Sequence, residues 1–419
     1  MTTLPASPPT GYIQLVRENA DFRNLWLGQI VSLAGDWFNL IASSALIAQL
    51  TGSGVAVGLL VVVRMLAQFV TGPIGGMLAD RYNRKTLLIA TDLLRGVVVF
   101  GFLLVDGVED VWLLYALTAV QLGLSGVFNP TKDAILPDVA RPEELGAANA
   151  LNATTWSTML AVGAALGGLV AGEWGLRPAF IIDALSFFYS AVLIRRVRYN
   201  FTIVPRVPMT AAAVFREYFA GFGYLRRHAD ILLIATQKAA QALAVSAGFQ
   251  IIQVELASKV FVYGDGGSTG LGWMYAVVGL GTGAGPLLAR ALTGDRPREL
   301  RRAIGWSYLV TAAGLLVAAP LASFAIVLFG TFLRGFGVAV AWVFSTTLLL
   351  QKLPNEVRGK VIGAEYALFT LMSALGAPVA GWVLDHTANG VPRLLYGMTG
   401  LVVVFGLVWA VWGIRRNHE

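Results

Sequence analysis

Gln29, Ser32, Asp36 and Asn39 recur at intervals of three and four residues, so on a helix they share one face. The chain around them is apolar. A carboxylate in such a setting is expensive to keep ionised, so Asp36 is a group that could take up and release a proton near neutral pH. The structural alternative is an ion pair with Arg64 or Arg334, and both readings can hold together. Gln121 adds a further amide inside an apolar stretch. A second set consists of Lys238 and Gln241 on one side of a helix, Gln250 and Gln253 further along, and Arg334 with Trp342 and Ser345 beyond it. These cations and amides are suited to an anionic or amphiphilic small molecule. Asp92 and Arg95, three residues apart, read as a local and mainly structural pair. Glu365 either joins a gate as a partner or titrates.

Other chemistry is poorly served. The chain of 419 residues has no Cys, and its three His (His228, His386, His418) are scattered, so neither a disulfide framework nor a metal centre is indicated. No phosphate-binding loop, channel filter repeat or nucleotide-binding domain is present. This speaks against an enzyme, a channel and an ATP-driven pump, and no cofactor is implied. A net charge of +7 raises the question of nucleic acid, which the placement of the basic residues answers differently.

The apolar residues must sit in lipid. Residues AVILMFWYC make up 56% of the chain, charged residues 13%, and the mean hydropathy is +0.68. A water-soluble core cannot absorb that much apolar surface. A helix that crosses a bilayer needs about 20 apolar residues. Twelve such spans are expected at 23–47, 55–79, 86–105, 111–132, 145–171, 177–195, 230–254, 270–290, 303–319, 322–350, 359–384 and 393–413. Short polar links such as Asp106-Gly107-Val108-Glu109-Asp110 force antiparallel neighbours. The first 22 residues lack the apolar core and cleavage site of a secretory signal, so the first span is expected to be retained. Of 31 Lys and Arg, 24 fall in the two tails and the even-numbered links. Three (Arg177, Lys259, Arg393) fall in the other links, and Arg64, Arg95, Lys238 and Arg334 fall within spans. That bias predicts that both termini are cytoplasmic.

The longest polar link, 196–229, includes Pro205, Pro208 and a possible amphipathic helix at 211–227. It divides the chain into a cytoplasmic tail (1–22), a six-span bundle (23–195), a cytoplasmic linker, a second bundle (230–413) and a short tail (414–419). The bundles echo one another. Ala165-Leu166-Gly167-Gly168-Leu169-Val170-Ala171-Gly172 resembles Ala374-Leu375-Gly376-Ala377-Pro378-Val379-Ala380-Gly381, and Gly72-Pro73 resembles Gly285-Pro286. Two halves of equal topology imply a pseudo-twofold axis along the membrane normal.

Gly76-Met77-Leu78-Ala79-Asp80-Arg81-Tyr82-Asn83-Arg84-Lys85, between the second and third spans, resembles the signature loop of the major facilitator superfamily, G-x-x-x-D-R-x-G-R-R/K. Asn83 replaces a glycine, and Asn tolerates the left-handed backbone that glycine serves. The resemblance implies that Gly76 permits close helix packing and that Asp80 caps the N-terminus of the eleventh helix, with Arg81, Arg84 and Lys85 adding ion pairs. It also implies that spans 1, 4, 7 and 10 line a central cavity. Phe128-Asn129-Pro130, Leu136-Pro137, Ala148-Asn149-Ala150-Leu151-Asn152 and Asp183-Ala184-Leu185-Ser186-Phe187 resemble the drug:proton antiporter branch that includes macrolide and siderophore exporters. Gly163-Ala164-Ala165-Leu166-Gly167-Gly168 partly matches an antiporter motif but lacks its proline. Small residues for close packing explain those glycines equally well.

Taken together, the expectation is an all-α transporter of the major facilitator fold, resident in a prokaryotic inner membrane. It would export a hydrophobic or amphiphilic compound against protons by alternating access, with the proton gradient as its energy source. A lipid flippase or an uncoupled facilitator of the same fold is the alternative. The expected partners are a small-molecule substrate, protons and membrane lipid, with no nucleic acid, and a monomer is the default state.

Overall fold

An apolar run can cross lipid only if it satisfies its backbone hydrogen bonds internally. The computed structural model is accordingly helical throughout: it describes residues 11–199, 221–294 and 296–415, and none of them lies in a strand. A short helix, Tyr12–Glu18, precedes twelve long ones. The first six are α1 (Ala20–Thr51), α2 (Gly54–Arg81), α3 (Arg84–Phe100, prolonged by the tighter turn Gly101–Leu104), α4 (Val111–Val139), α5 (Leu145–Glu173) and α6 (Leu176–Arg195). The second six are α7 (Ala229–Val260), α8 (Ser268–Thr293), α9 (Pro297–Ala318), α10 (Phe324–Lys352), α11 (Asn355–His386) and α12 (Gly390–Arg415). Of the amphipathic helix expected at 211–227, residues 221–227 are helical and the remainder lies outside the described residues.

Cap chemistry sets the reversals. Asn19 Oδ1 accepts the Phe22 N–H at 2.9 Å to open α1, and Gly52 closes it at φ +60°, in the left-handed region that favours glycine. Ser53 then accepts the Ala56 N–H at 3.3 Å and starts α2. Eleven of the long helices are both long and apolar enough to span a bilayer. The exception is α9, whose first turns carry Arg298, Glu299, Arg301 and Arg302. With 22 residues it is still about 33 Å long, and it packs lengthwise between α10 and α12.

The helices sort by packing. In the first half α1 lies on α5 and α6, α2 on α4, and α3 on α4 and α6. In the second, α9 lies on α10 and α12, α8 on α10, and α7 on α10 and α11. Two main contacts join the halves, α5 with α8 and α2 with α11. Both concentrate toward the face opposite the start of α1, here termed the far face. The backbones meet almost directly there. A Cβ on Gly168 would stand 2.6 Å from Gly272 Cα, and one on Gly58 would stand 3.0 Å from the Ala377 carbonyl. Toward the face that carries the chain termini, a Cβ on Gly72, Gly76, Gly146, Gly283 or Gly359 would meet nothing within 4 Å. Gly76 therefore makes no tight contact in this conformation, because the halves diverge on that side.

A branched side chain at the α5–α8 crossing must push the two backbones apart. Gly168→Val is expected to destabilise the chain by about 1–3 kcal/mol, seen as a lower melting temperature in detergent. It should also raise maleimide labelling of a cysteine introduced at Ser53 in this Cys-free chain. Unchanged melting and labelling would show that the crossing is not tight.

Candidate functional site

The polar residues of the first half converge because α1, α3, α4 and α6 turn their few polar side chains toward one another. A cavity of about 260 Å³ opens among Gln29, Ser32, Asp36, Arg64, Arg95 and Asn129, with Trp37, Phe128 and Trp156 among its aromatic walls. Arg95 organises it. Its guanidinium pairs with Asp92 Oδ1, stands 3.8 Å from Asp36 Oδ2 and donates to Ser125 Oγ at 3.2 Å. The rings of Phe128 and Phe187 lie 4.4 and 4.2 Å away on either side. This charge is thus held by two carboxylates, a hydroxyl and two π-faces. Asp36 pairs with Arg95, and neither Arg64 nor Arg334, the partners expected from the sequence, comes within ion-pair distance of it. The reason is helix rotation, since α3 presents Arg95 to α1 while Arg64 lines the other side of the cavity. Arg95 is correspondingly more than a local structural partner of Asp92.

Asp183 on α6 completes the cluster. It is fully buried, accepts from Gln121 Nε2 at 3.4 Å and is pressed against α1, where a Cβ on Gly35 would stand 2.5 Å from its Oδ1. Asn39 lies beside it and accepts from Ser43 Oγ at 3.0 Å. Asp36 Oδ1, Asp92 Oδ2 and Asp183 Oδ1 are buried without a hydrogen-bond partner among the described residues. Asp36 and Asp92 therefore share Arg95, while Asp183 is held by Gln121. In the sequence Asp183 opens the motif Asp183-Ala184-Leu185-Ser186-Phe187. It is also a lone acid in an apolar span, the same signal that singled out Asp36.

In the second half Lys238 Nζ donates to Glu365 Oε2 at 2.9 Å, with its ammonium 4.7 Å from the Trp342 ring. Glu365, the possible gate partner, is thus engaged within its own bundle. Gln241 is buried, and neither of its amide heteroatoms has a hydrogen-bond partner among the described residues. It directly precedes a π-helical turn, Ala242–Ser246, a distortion frequent at functional sites. Arg334 is buried with its guanidinium 4.2 Å from the Phe249 ring and no carboxylate within ion-pair distance among the described residues. Tyr275 of α8 packs on Trp37 of α1 with ring centroids 5.8 Å apart, so it joins the first half's cavity wall to the second half across the bundle boundary.

At the signature loop, Arg84 stands 3.9 Å from Asp80 and donates to the Ala79 and Ala134 carbonyls and, at 2.7 Å, to Asp138 Oδ2. It fastens the end of α2 to α4. Asn83 does not use the left-handed backbone expected of it. At φ −59° it caps α3, accepting the Thr86 N–H at 3.1 Å. On the far face, Asp385 of α11 accepts from Gly54 N at 2.7 Å, Val55 N at 3.0 Å and Ser53 Oγ at 2.7 Å, so it caps α2 across the bundle boundary. Lys259 Nζ donates to the Gly52 carbonyl at 3.1 Å, and Gln49 Nε2 donates to Asp265 Oδ1 at 3.5 Å beside it.

A family model for the Major Facilitator Superfamily matches residues 25–267 and 242–419. The MFS-type transporter YfiS of Bacillus subtilis (strain 168) is 28% identical over 94% of this chain and 94% of its own length. The multidrug resistance protein MdtH of Yersinia enterocolitica is 24% identical over 86% of each chain. Among solved structures, that of the nucleoside transporter NupG superimposes with a TM-score of 0.71 at 12% identity, covering 93% of this chain and 99% of that one.

The geometry separates structural from tunable charges. Arg95→Leu would strand Asp92 and Asp36 and is expected to cost about 3–5 kcal/mol, whereas Asp183→Asn, which keeps the shape and the Gln121 contact, should fold with near-native melting. Thermal unfolding in detergent distinguishes the two, and equal losses would contradict the assignment. Asp385→Ala should remove about 1–3 kcal/mol from the far-face seal. The readout is faster maleimide labelling of a cysteine placed at Gln49, and an unchanged labelling rate would show that the cap is not part of the seal.

Proposed function

Because this chain belongs to the major facilitator superfamily, we propose that it is a proton-coupled exporter of a small hydrophobic or amphiphilic compound, drug-, macrolide- or siderophore-like, working by alternating access. The observation that carries this reading is the cluster of buried carboxyl groups around Asp36, set at the wall of a cavity beside aromatic side chains. The likeness to the multidrug resistance protein MdtH supports the substrate class. The excess of basic residues on the termini face supports a cytoplasmic location for both termini in a bacterial inner membrane.

In the proposed cycle the bundles of residues 23–195 and 230–413, joined by the 196–229 linker, rock against one another as a monomer, between the conformation described above and one open at the far face. Asp36 carries the proton. Protonation weakens its hold on Arg95 and leaves that guanidinium to Asp92. Gln29, Asn39, Arg64 and Gln121 from one half, and Lys238, Gln241 and Arg334 from the other, present polar contacts to the substrate. Closure of the termini face brings Asp80 onto the N-terminus of α11, with Arg81, Arg84 and Lys85 supporting the contact.

One observation favours a second reading, an uncoupled facilitator or lipid flippase: Asp36 already stands 3.8 Å from Arg95 and can be read as permanently paired. Transport in proteoliposomes under an imposed pH gradient decides between them, with lipophilic dyes and macrolides as substrates. Proton coupling predicts gradient-driven movement in the wild type that Asp36→Asn lowers by tenfold or more while the protein stays folded. Movement indifferent to the gradient and equal in both proteins would establish the facilitator.

A further inference from the structure

Four cations lie deep within the spans, and they are not held alike. Arg95 is held by Asp92 and Asp36, and Lys238 by Glu365. Arg64 lines the cavity that Asp36 also lines. Arg334 differs from all three. It is only 6% exposed, yet no carboxylate comes within ion-pair distance of it among the described residues. Its close partner is the Phe249 ring of α7, 4.2 Å from the guanidinium. Arg334 precedes Lys352, the last residue of α10, by 18 residues. That is about 27 Å of helix, so it stands well away from the polar links of the termini face.

Backbone packing aims this side chain. Glycines on either side of Arg334 lock α10 against its neighbours. A Cβ on Gly330 would stand 2.5 Å from the Gly314 carbonyl of α9, and one on Gly335 would stand 3.2 Å from the Val278 carbonyl of α8. These contacts fix the rotation of α10 and leave Arg334 directed at Phe249. Of its three nitrogens, Nε is sealed and unpartnered, while the two terminal nitrogens are open and donate to no group among the described residues. One turn farther toward the far face on each helix, Thr331 Oγ1 and Gln253 Nε2 are also buried without a partner among the described residues. A lone cation in hydrocarbon is costly, so a chain that keeps one calls for a compensating anion. A guanidinium whose plane is set by a ring and whose fork is open suits a bidentate oxyanion. The unspent polar atoms around it can all donate, which suits the same ligand.

We propose that the open fork of Arg334 receives the acidic group of the transported compound, so that the substrates are amphiphilic acids with a carboxylate, sulfonate or phosphate head. This rests on the reading of the chain as an exporter, but not on proton coupling, since Asp36 belongs to the other bundle. Arg334 is then compensated only while a substrate is bound, and Phe249 holds the plane of the fork for it. A free inorganic anion would use the same chemistry, and the test separates the two.

The test is equilibrium binding to the full-length protein in neutral detergent, with no gradient and at constant ionic strength. The probes are naphthoate, its uncharged amide and sodium chloride, each followed through the melting temperature. Naphthoate should stabilise the wild type saturably and bind roughly 10- to 100-fold more tightly than the amide. Arg334→Gln should bind acid and amide alike. Arg334→Lys, which keeps the charge without the fork, should fall between them and serves if the glutamine variant fails to fold. Without any acid, Arg334→Gln should melt no lower than the wild type, because removing an uncompensated charge strands no partner. The assignment is overturned if acid and amide bind the wild type alike, if either variant keeps the full preference for the acid, or if Arg334→Gln folds but melts lower without ligand, which would make Arg334 structural. It is also overturned if chloride matches naphthoate at equal concentration, which would make the occupant a free inorganic anion. None of these outcomes bears on gradient-driven movement of dyes and macrolides, so the two readings fail separately.

Discussion

Two helical bundles in lipid gain little from hiding apolar surface from one another, since acyl chains are as apolar as leucine. What joins them must be close backbone contact and polar groups placed at helix ends. Both are concentrated at two crossings on one face. At the α5–α8 crossing Gly168 lies against Gly272, and at the α2–α11 crossing Gly54 lies against Gly381. The rest of the architecture depends on these seams. They seal the far face and let the other ends of the same helices diverge. The cavity around Asp36 is lined by the first half alone.

The internal echo of the chain takes on physical meaning at the same place. The segments 165–172 and 374–381 resemble each other, and each supplies the small residues of one seam, on α5 and on α11. Each half thus contributes one small-residue helix that docks on the other half, as a pseudo-twofold axis requires. The glycines of α5 that partly match an antiporter motif are accounted for by close packing, two of them on α1 of their own half and one on α8 of the other. Gly163 faces Trp37, Gly167 faces Phe38 and Gly168 faces α8.

Much of this was legible in the sequence because membrane helices obey few rules. Apolar length gave the spans, and Gly76 to Lys85 gave the family. The site was legible only in part. Intramembrane charge marked Asp36, Arg64, Lys238 and Arg334. It could not say that Asp36 turns to Arg95, because helix rotation is set by packing at Gly35 and the α1–α6 contact. Asp385 was hidden for another reason. It lies at the end of a span, where an acid is unremarkable, and only the approach of α2 makes it a cap. The weak hydropathy of α9 shows the converse case, in which arginines that lower a span's apolar score belong to its surface.

The pairing of α2 with α11 also suggests why the signature loop and the far-face cap belong to one device. Asp80 and Asp385 are each the penultimate residue of their helix, and each stands four residues after a glycine, Gly76 and Gly381. The helices are antiparallel, so each acid sits near the negative end of its own helix dipole and opposite the positive end of its neighbour's. At the far face the arrangement is complete, with Gly381 on Gly54 and Asp385 on the first N–H groups of α2. At the termini face the matching glycines, Gly76 and Gly359, have open space before them. Two rigid helices that cross at an angle cannot touch closely at both ends. Under the proposed cycle, closing one face therefore exchanges one acid-to-helix contact for its mirror image. Because the two contacts are of the same kind, their energies nearly cancel, and a proton at Asp36 or a bound substrate need supply only a small difference to move the equilibrium.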